Sequence, residues 1–161
     1  MYVFSINLSS VPLRSISAQQ GLGDSGAGWL PVAEMIKHQL PHVKWVLPNA
    51  PHRNITANFG LSMPGWFDLY SFDWKGKEDR DGMLASARTI DKHIQDEIDA
   101  GIPAERIVLG GFSQGGCLSL LTGLTDRGQG SKKLGGVVVL SGWLPLRDEF
   151  PKVVLLPPNM R

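Results

Sequence analysis

Apolar positions along the chain fall into two alternating patterns, short dense runs of strand length and stripes at helical spacing. The dense runs are 2–8, which alternates loosely, then 43–47, 107–109 and the β-branched 137–140. One stripe is Trp29, Val32, Ala33, Ile36 and Leu40, with Pro31 tolerable in a first helical turn and Pro41 ending the helix. A second is Met83, Ala87, Ile90, Ile94 and Ile98, stopped by Gly101 and Pro103. Residues 117–124 read as a third helix. Residues 9–20 break the alternation, because they are polar, contain Pro12 and are weak both as helix and as buried strand. A glycine-rich loop follows at 21–29. Residues 49–77 form a long excursion with six aromatic side chains, and an excursion of that length tends to carry function. The polar stretch 126–133 reads as a loop, and 137–140 as a buried strand.

Strands alternating with amphipathic helices predict an α/β domain, a mainly parallel sheet with helices on both faces. Ligands in such sheets sit at the carboxyl ends of the strands. Ser113, the 21–28 loop and Trp143 should gather there.

The densest chemical signal is Gly111-Phe112-Ser113-Gln114-Gly115, which fits G-x-S-x-G. It has a strand before it and a helix after it, as a nucleophile elbow requires. A serine at the apex of so sharp a turn is pushed out at the strand's carboxyl end. Side chains two residues away on either side would collide, so glycine stands there. The amide after the serine lies at a helix N-terminus, where negative charge is favoured. The plainer alternative is a glycine-rich strand-to-helix turn without chemistry.

Composition narrows the classes. The 161 residues suit one domain with a real core, 42% hydrophobic and 19% charged. The net charge of +1 advertises neither nucleic acid nor an anionic membrane. A lone cysteine, Cys117, fits a reducing compartment and reads as a helix-packing residue. The start of the chain is a poor signal peptide, and no apolar run reaches the roughly 18 residues of a membrane span. Cys117 and the histidines lack metal-ligand spacing, so no metal and no cofactor is expected.

Gly21-Leu22-Gly23-Asp24-Ser25-Gly26 also spells G-x-G-x-x-G, which raises a dinucleotide site. That motif needs a strand directly before it, for which 15–20 is too polar, and an acid after the next strand, where none stands. The loop is better used as the second wall of an oxyanion hole, with one N–H from Leu22 and the other from Gln114. A serine nucleophile also needs a base, and this architecture runs Ser, then Asp or Glu, then His. All four histidines, His38, His42, His52 and His93, precede Ser113. His38 and His93 read as surface residues, and His52, in the aromatic excursion, is the one to consider near the site. The carboxylates after Ser113 are Asp126, Asp148 and Glu149.

Six linked segments carry a family resemblance. They are Gly21-Leu22-Gly23-Asp24, Pro48-Asn49-Ala50-Pro51, Met63-Pro64-Gly65-Trp66-Phe67-Asp68, Gly101-Ile102-Pro103, the stretch 106–116 around Ser113, and Ser141-Gly142-Trp143-Leu144-Pro145. In order and wording the chain resembles the acyl-protein thioesterase family, the lysophospholipase and carboxylesterase group of α/β-hydrolases, over residues 21–151. The resemblance implies hydrolysis of acyl thioesters and esters, such as palmitate on protein cysteines, through an acyl-enzyme on Ser113. It implies Leu22 and Gln114 as oxyanion donors, and Trp66 and Trp143 near the acyl site, although core packing is an equal reading for each tryptophan. S-acylated proteins or small acyl esters would be the substrates, without nucleic-acid partners or an integral membrane segment. A weak homodimer and a cytoplasmic, also nuclear, location are further expectations.

Two departures qualify it. Gln20 stands where the family writes His, and the polar 15–20 segment replaces a strand inside the sheet. The family's Asp and His lie in a further region, which 152–161 does not match. The expectation is an α/β-hydrolase domain incomplete at both ends, shortened by splicing or an imperfect gene model, with 137–140 as an exposed apolar edge. Losing a triad serine or histidine costs about 10⁶-fold in kcat, and an oxyanion hole with binding leaves roughly 10³–10⁴ over water. Two rival classes stand beside the impaired hydrolase, a non-catalytic acyl-binding module and a nucleotide-binding oxidoreductase.

Overall fold

A computed structural model describes residues 2–4 (backbone only), 14–73, 76–125 and 133–149. Residues 126–132 of the expected loop at 126–133, Asp126 among them, residues 5–8 and the run 152–161 lie outside these. Among the described residues the main sheet has five strands: β1 (Tyr2–Phe4), β2 (Arg14–Gln19), β3 (Val43–Leu47), β6 (Ile107–Phe112) and β7 (Gly136–Leu140). Their order is β1-β3-β2-β6-β7, parallel throughout except for β1, which runs antiparallel to β3.

Between β3 and β6 the excursion at 49–77 contains a small hairpin of β4 (His52–Ile55) and β5 (Leu61–Pro64). A 3-10 turn at Thr56–Asn58 joins its strands, and the chain reverses at Phe59, whose φ is 55°. Neither hairpin strand has a dense apolar run, so hydropathy does not signal it. Three α-helices complete the described part of the domain: α1 (Gly26–Ile36), α2 (Arg80–Asp99) and α3 (Gln114–Leu124). The Asp79 side chain caps α2 by accepting from Gly82 N at 3.0 Å. The stripe Met83, Ala87, Ile90 and Ile94 is buried as its spacing predicted.

Two apolar clusters fill the two faces of the sheet. Ala18, Val43, Trp45 and Leu47 pack with α1 on one face. Ile107, Leu109, Cys117, Leu118 and Leu121 pack with α2 and the segment 66–69 on the other.

The largest difference from the sequence reading is β2. Residues 15–19 form the central strand, paired on both sides, Ile16 opposite Trp45 and Val108. Ser15, Ser17 and Gln19 are all buried. The polarity of Ser17 and Gln19 is absorbed locally, whereas Ser15 Oγ has no hydrogen-bond partner among the described residues. Gln19 Nε2 donates to Ser17 Oγ at 2.8 Å, and Ser119 Oγ of α3 donates to Gln19 Oε1 at 2.6 Å. Both rungs of backbone hydrogen bonds are used as well, so the cost that remains is chiefly that of the one unpaired Ser15 hydroxyl. The N-terminal side of the sheet therefore has the strand that the composition of 15–20 argued against.

For β7 two readings stood from sequence, a buried strand and an exposed apolar edge. It pairs only with β6 among the described residues, and Val138 and Leu140 are 51% and 50% exposed, so the edge reading holds and the buried-strand reading does not.

Candidate active site

Ser113 stands in the one-residue turn between β6 and α3 at φ 52°, ψ −117°. A non-glycine residue at positive φ is held there by its surroundings, at a cost of roughly 1–3 kcal/mol. The surroundings are visible. Ser113 N donates to Leu140 O of β7 at 2.8 Å, and Cys117 N to Ser113 O at 3.1 Å. A Cβ on Gly111 would collide with the Gly115 carbonyl group, and one on Gly115 with the carbonyl oxygens of Gln19 and Gln20. The two motif glycines thus let strand, turn and helix lie in backbone contact, and they seat the turn against the end of β2.

Ser113 is half-buried, and although it occupies the cap position of α3 its side chain makes no capping hydrogen bond. The hydroxyl is free for other work. The first N–H groups of α3, Gln114 N among them, have no carbonyl one turn earlier in the helix to accept them, and they lie at its positive end. A lone pair or a negative charge is favoured there.

The loop after β2 lies alongside. A Cβ on Gly21 would be 3.1 Å from the Phe112 ring and 3.6 Å from the Phe112 carbonyl oxygen. Gly23 N donates to Pro64 O at 2.8 Å, and Leu22 packs against the main core. Gln20, in the place of the family's histidine, is fully buried. With its amide oriented to suit its neighbours, it donates to Pro48 O and accepts from Ala50 N, both at 2.6 Å. The loop carrying Leu22 is therefore fixed at its base. The G-x-G-x-x-G segment does follow a strand and open a helix, so the polarity of 15–20 no longer argues against a nucleotide. The helix end itself does. Ser25 Oγ accepts from Gly28 N, Asn49 Oδ1 from Gly26 N at 2.7 Å, and the Asp24 carboxylate from Ser25 N at 2.7 Å. The place a pyrophosphate would take already holds a carboxylate and two caps.

The two tryptophans differ. Trp66 is 1% exposed and wholly part of the core. Trp143 is half-buried, packs edge-on against Phe67 with ring centroids 6.0 Å apart, and lines a cleft with Leu69, Tyr70, Met83 and Glu78. Its backbone N–H donates to Cys117 Sγ at 3.2 Å. Burial pushes the Cys117 thiol well above its ordinary value, so it is an acceptor and a packing group. Glu78 was not foreseen. Its carboxylate accepts from Trp143 Nε1 at 3.3 Å and Leu146 N at 2.7 Å, tying the loop after β7 to the approach to α2. A lone glutamate in a charged stretch gives no such signal in sequence.

Among the described residues no histidine is hydrogen-bonded to Ser113. His52 is exposed on β4, opposite Pro64. His38 is exposed, and His42 is half-buried. His93, expected at the surface, is half-buried in α2, and burial lowers its pKa. Asp148 is exposed, and Glu149 accepts from Arg80 Nε at 2.9 Å.

A half-buried serine on a strained strand-to-helix turn, with an uncapped helix N-terminus and a close-packed glycine loop, sets a free hydroxyl beside backbone N–H groups that favour negative charge. The sequence matches the phospholipase/carboxylesterase family over residues 20–158. The chain belongs to that family. It is 49% identical over 137 residues to acyl-protein thioesterase 1 of Cryptococcus neoformans, an alignment covering 83% of this chain and 56% of the relative. It is 42% identical over 149 residues to acyl-protein thioesterase 1 of Schizosaccharomyces pombe, with 92% and 64% covered. The crystal structure of Arabidopsis thaliana SOBER1 superposes with a TM-score of 0.79 at 32% identity, covering 88% of this chain and 67% of that one. The chain thus spans just over half to two thirds of the length of these relatives, and the α/β-hydrolase fold is shared with its structural neighbours.

Proposed function

We propose that this phospholipase/carboxylesterase family chain carries the nucleophile and the oxyanion hole of an acyl-thioester and ester hydrolase, acting on S-acylated protein cysteines or small acyl esters. The observation that carries the reading is Ser113 at φ 52° with its hydroxyl uncommitted at the N-terminus of α3. In the reaction the Ser113 hydroxyl oxygen attacks the acyl carbonyl carbon and its proton passes to a base. The carbonyl oxygen becomes an oxyanion, met by the N–H groups of Leu22 and Gln114. The carbon–sulfur or carbon–oxygen bond then breaks, the leaving group takes a proton, and water hydrolyses the acyl-serine by the same steps in reverse. Trp143, Leu69 and Met83 supply apolar surface in a cleft whose lining does not include Ser113, Leu22 or Gln114.

Among the described residues no histidine is hydrogen-bonded to Ser113, so the base is not identified. No histidine follows Ser113 in these 161 residues, so assayed by themselves they should turn over slowly. That same gap favours a second reading, a module that binds acyl chains without turnover. Hydrolysis of p-nitrophenyl octanoate and of a palmitoyl-cysteine peptide separates the two. Slow hydrolysis abolished by Ser113→Ala supports the hydrolase. Ligand binding with no product, unchanged in Ser113→Ala, supports the binding module and overturns the nucleophile.

A further inference from the structure

The two proposed oxyanion donors come from segments far apart in sequence, and a buried strut connects them. Trp66 Nε1–H donates to Gln20 O at 3.0 Å, two residues before Leu22. The backbone N–H of Trp66 donates to Gln114 Oε1 at 2.7 Å, and Gln114 Nε2 returns a bond to Phe67 O at 2.7 Å. Ser86 Oγ of α2 donates to Trp66 O and anchors the strut from behind. Gly23 N bonds to Pro64 O, so the loop is tied to the segment 64–67 on both sides of Leu22. Gln114 is fully buried with both ends of its amide used.

We propose that Trp66 and the Gln114 side chain are positioning residues that set the separation of the Leu22 and Gln114 N–H groups, and that Trp66 does not itself touch the acyl group. The inference rests on the reading of Ser113 and the oxyanion hole given above. An oxyanion hole works only when both donors sit about 2.7–3.1 Å from the developing charge. A displacement of about 1 Å can cost about 10²-fold. Tryptophan is required where phenylalanine would fill the core, because only the indole has the N–H that holds Gln20 O. Glutamine is required because its amide donates and accepts at once, which neither glutamate nor methionine can do.

Octylboronic acid tests this without a catalytic base. Its boron accepts a lone pair from Ser113 Oγ, the hydroxyl proton passes to water, and the tetrahedral boronate anion places an oxygen in the hole. Octanamide, with a chain of similar length, forms no such adduct and reports binding alone. In Trp66→Phe, boronate affinity should fall about tenfold or more, with loss of the tetrahedral ¹¹B signal, and octanamide affinity should stay within about twofold. A parallel fall of both ligands would reduce Trp66 to a packing residue, and an unchanged boronate affinity would equally overturn the proposal. Should Trp66→Phe unfold, Gln114→Met severs the strut at its other end and takes the same two ligands with the same expected split. Ser113→Ala in the otherwise unaltered chain must abolish the ¹¹B adduct. Persistence of the adduct there would refute the nucleophile reading itself, independently of Trp66.

Discussion

The strands β2 and β7 invert the usual relation between composition and burial. β2 reads Arg-Ser-Ile-Ser-Ala-Gln and lies at the centre of the sheet with Ser15, Ser17 and Gln19 buried. β7 reads Gly-Val-Val-Val-Leu and lies at an edge with two side chains half exposed. A strand's place is decided by what its neighbours demand. β2 carries the loop of Leu22 and receives the first turn of α3 at close range, which favours small side chains and local polar pairs. β7 supplies Leu140 O to Ser113 N and packs Val137 and Val139 under α3, and its outer face meets nothing among the described residues.

The comparison can be broken hardest at the contact between α3 and β2. Gly115→Ala drives a methyl group into two backbone carbonyls that cannot yield. We expect a loss of about 4 kcal/mol or more, into the range that abolishes cooperative folding in urea. A finer cut is Gln19→Leu, which strands Ser17 in the core, whereas Ser119 Oγ still donates to Gly115 O at 2.9 Å. It should cost about 1–3 kcal/mol, and adding Ser17→Ala should recover much of that, since removing both polar partners costs less than removing one. Additive losses in the denaturation midpoints would mean that the polar network is incidental.

At β7 the expected stability change is small and the effect lies elsewhere. Val138→Lys should stay within about 0.5 kcal/mol, while self-association followed by light scattering falls, because a charge blunts an open edge. The smallest effect concerns His93. Its folded pKa lies below the ordinary 6.5, chiefly because burial disfavours the charged form. The unfolded state therefore binds more protons as pH falls below 6.5, so stability present above that value declines on acidification. His93→Gln should flatten that part of the curve.

Much of the architecture was legible because periodicity reports it. The α2 stripe, β3, β6 and the elbow all stand where the pattern placed them, and G-x-S-x-G is spelled by steric needs visible in five letters. β2 was not legible, because hydropathy cannot see that Gln19 and Ser119 will meet between strand and helix, and the composition of β7 alone suggested burial, while only the family resemblance pointed to an edge. At the site, the proximity of the 20–22 loop to the turn followed from the motifs. The roles of Trp66, the Gln114 side chain and Glu78 did not, since each depends on a partner distant in sequence.

The most direct test of the nucleophile is fluorophosphonate labelling of the 161-residue chain, with the adduct mapped by peptide mass, in the absence and presence of imidazole. In the reaction the Ser113 oxygen–phosphorus bond forms, fluoride leaves, and the hydroxyl proton goes to the added base. The account predicts slow labelling confined to Ser113, accelerated by imidazole and absent in Ser113→Ala. Labelling at another residue, or labelling of Ser113→Ala at the same rate, would contradict it.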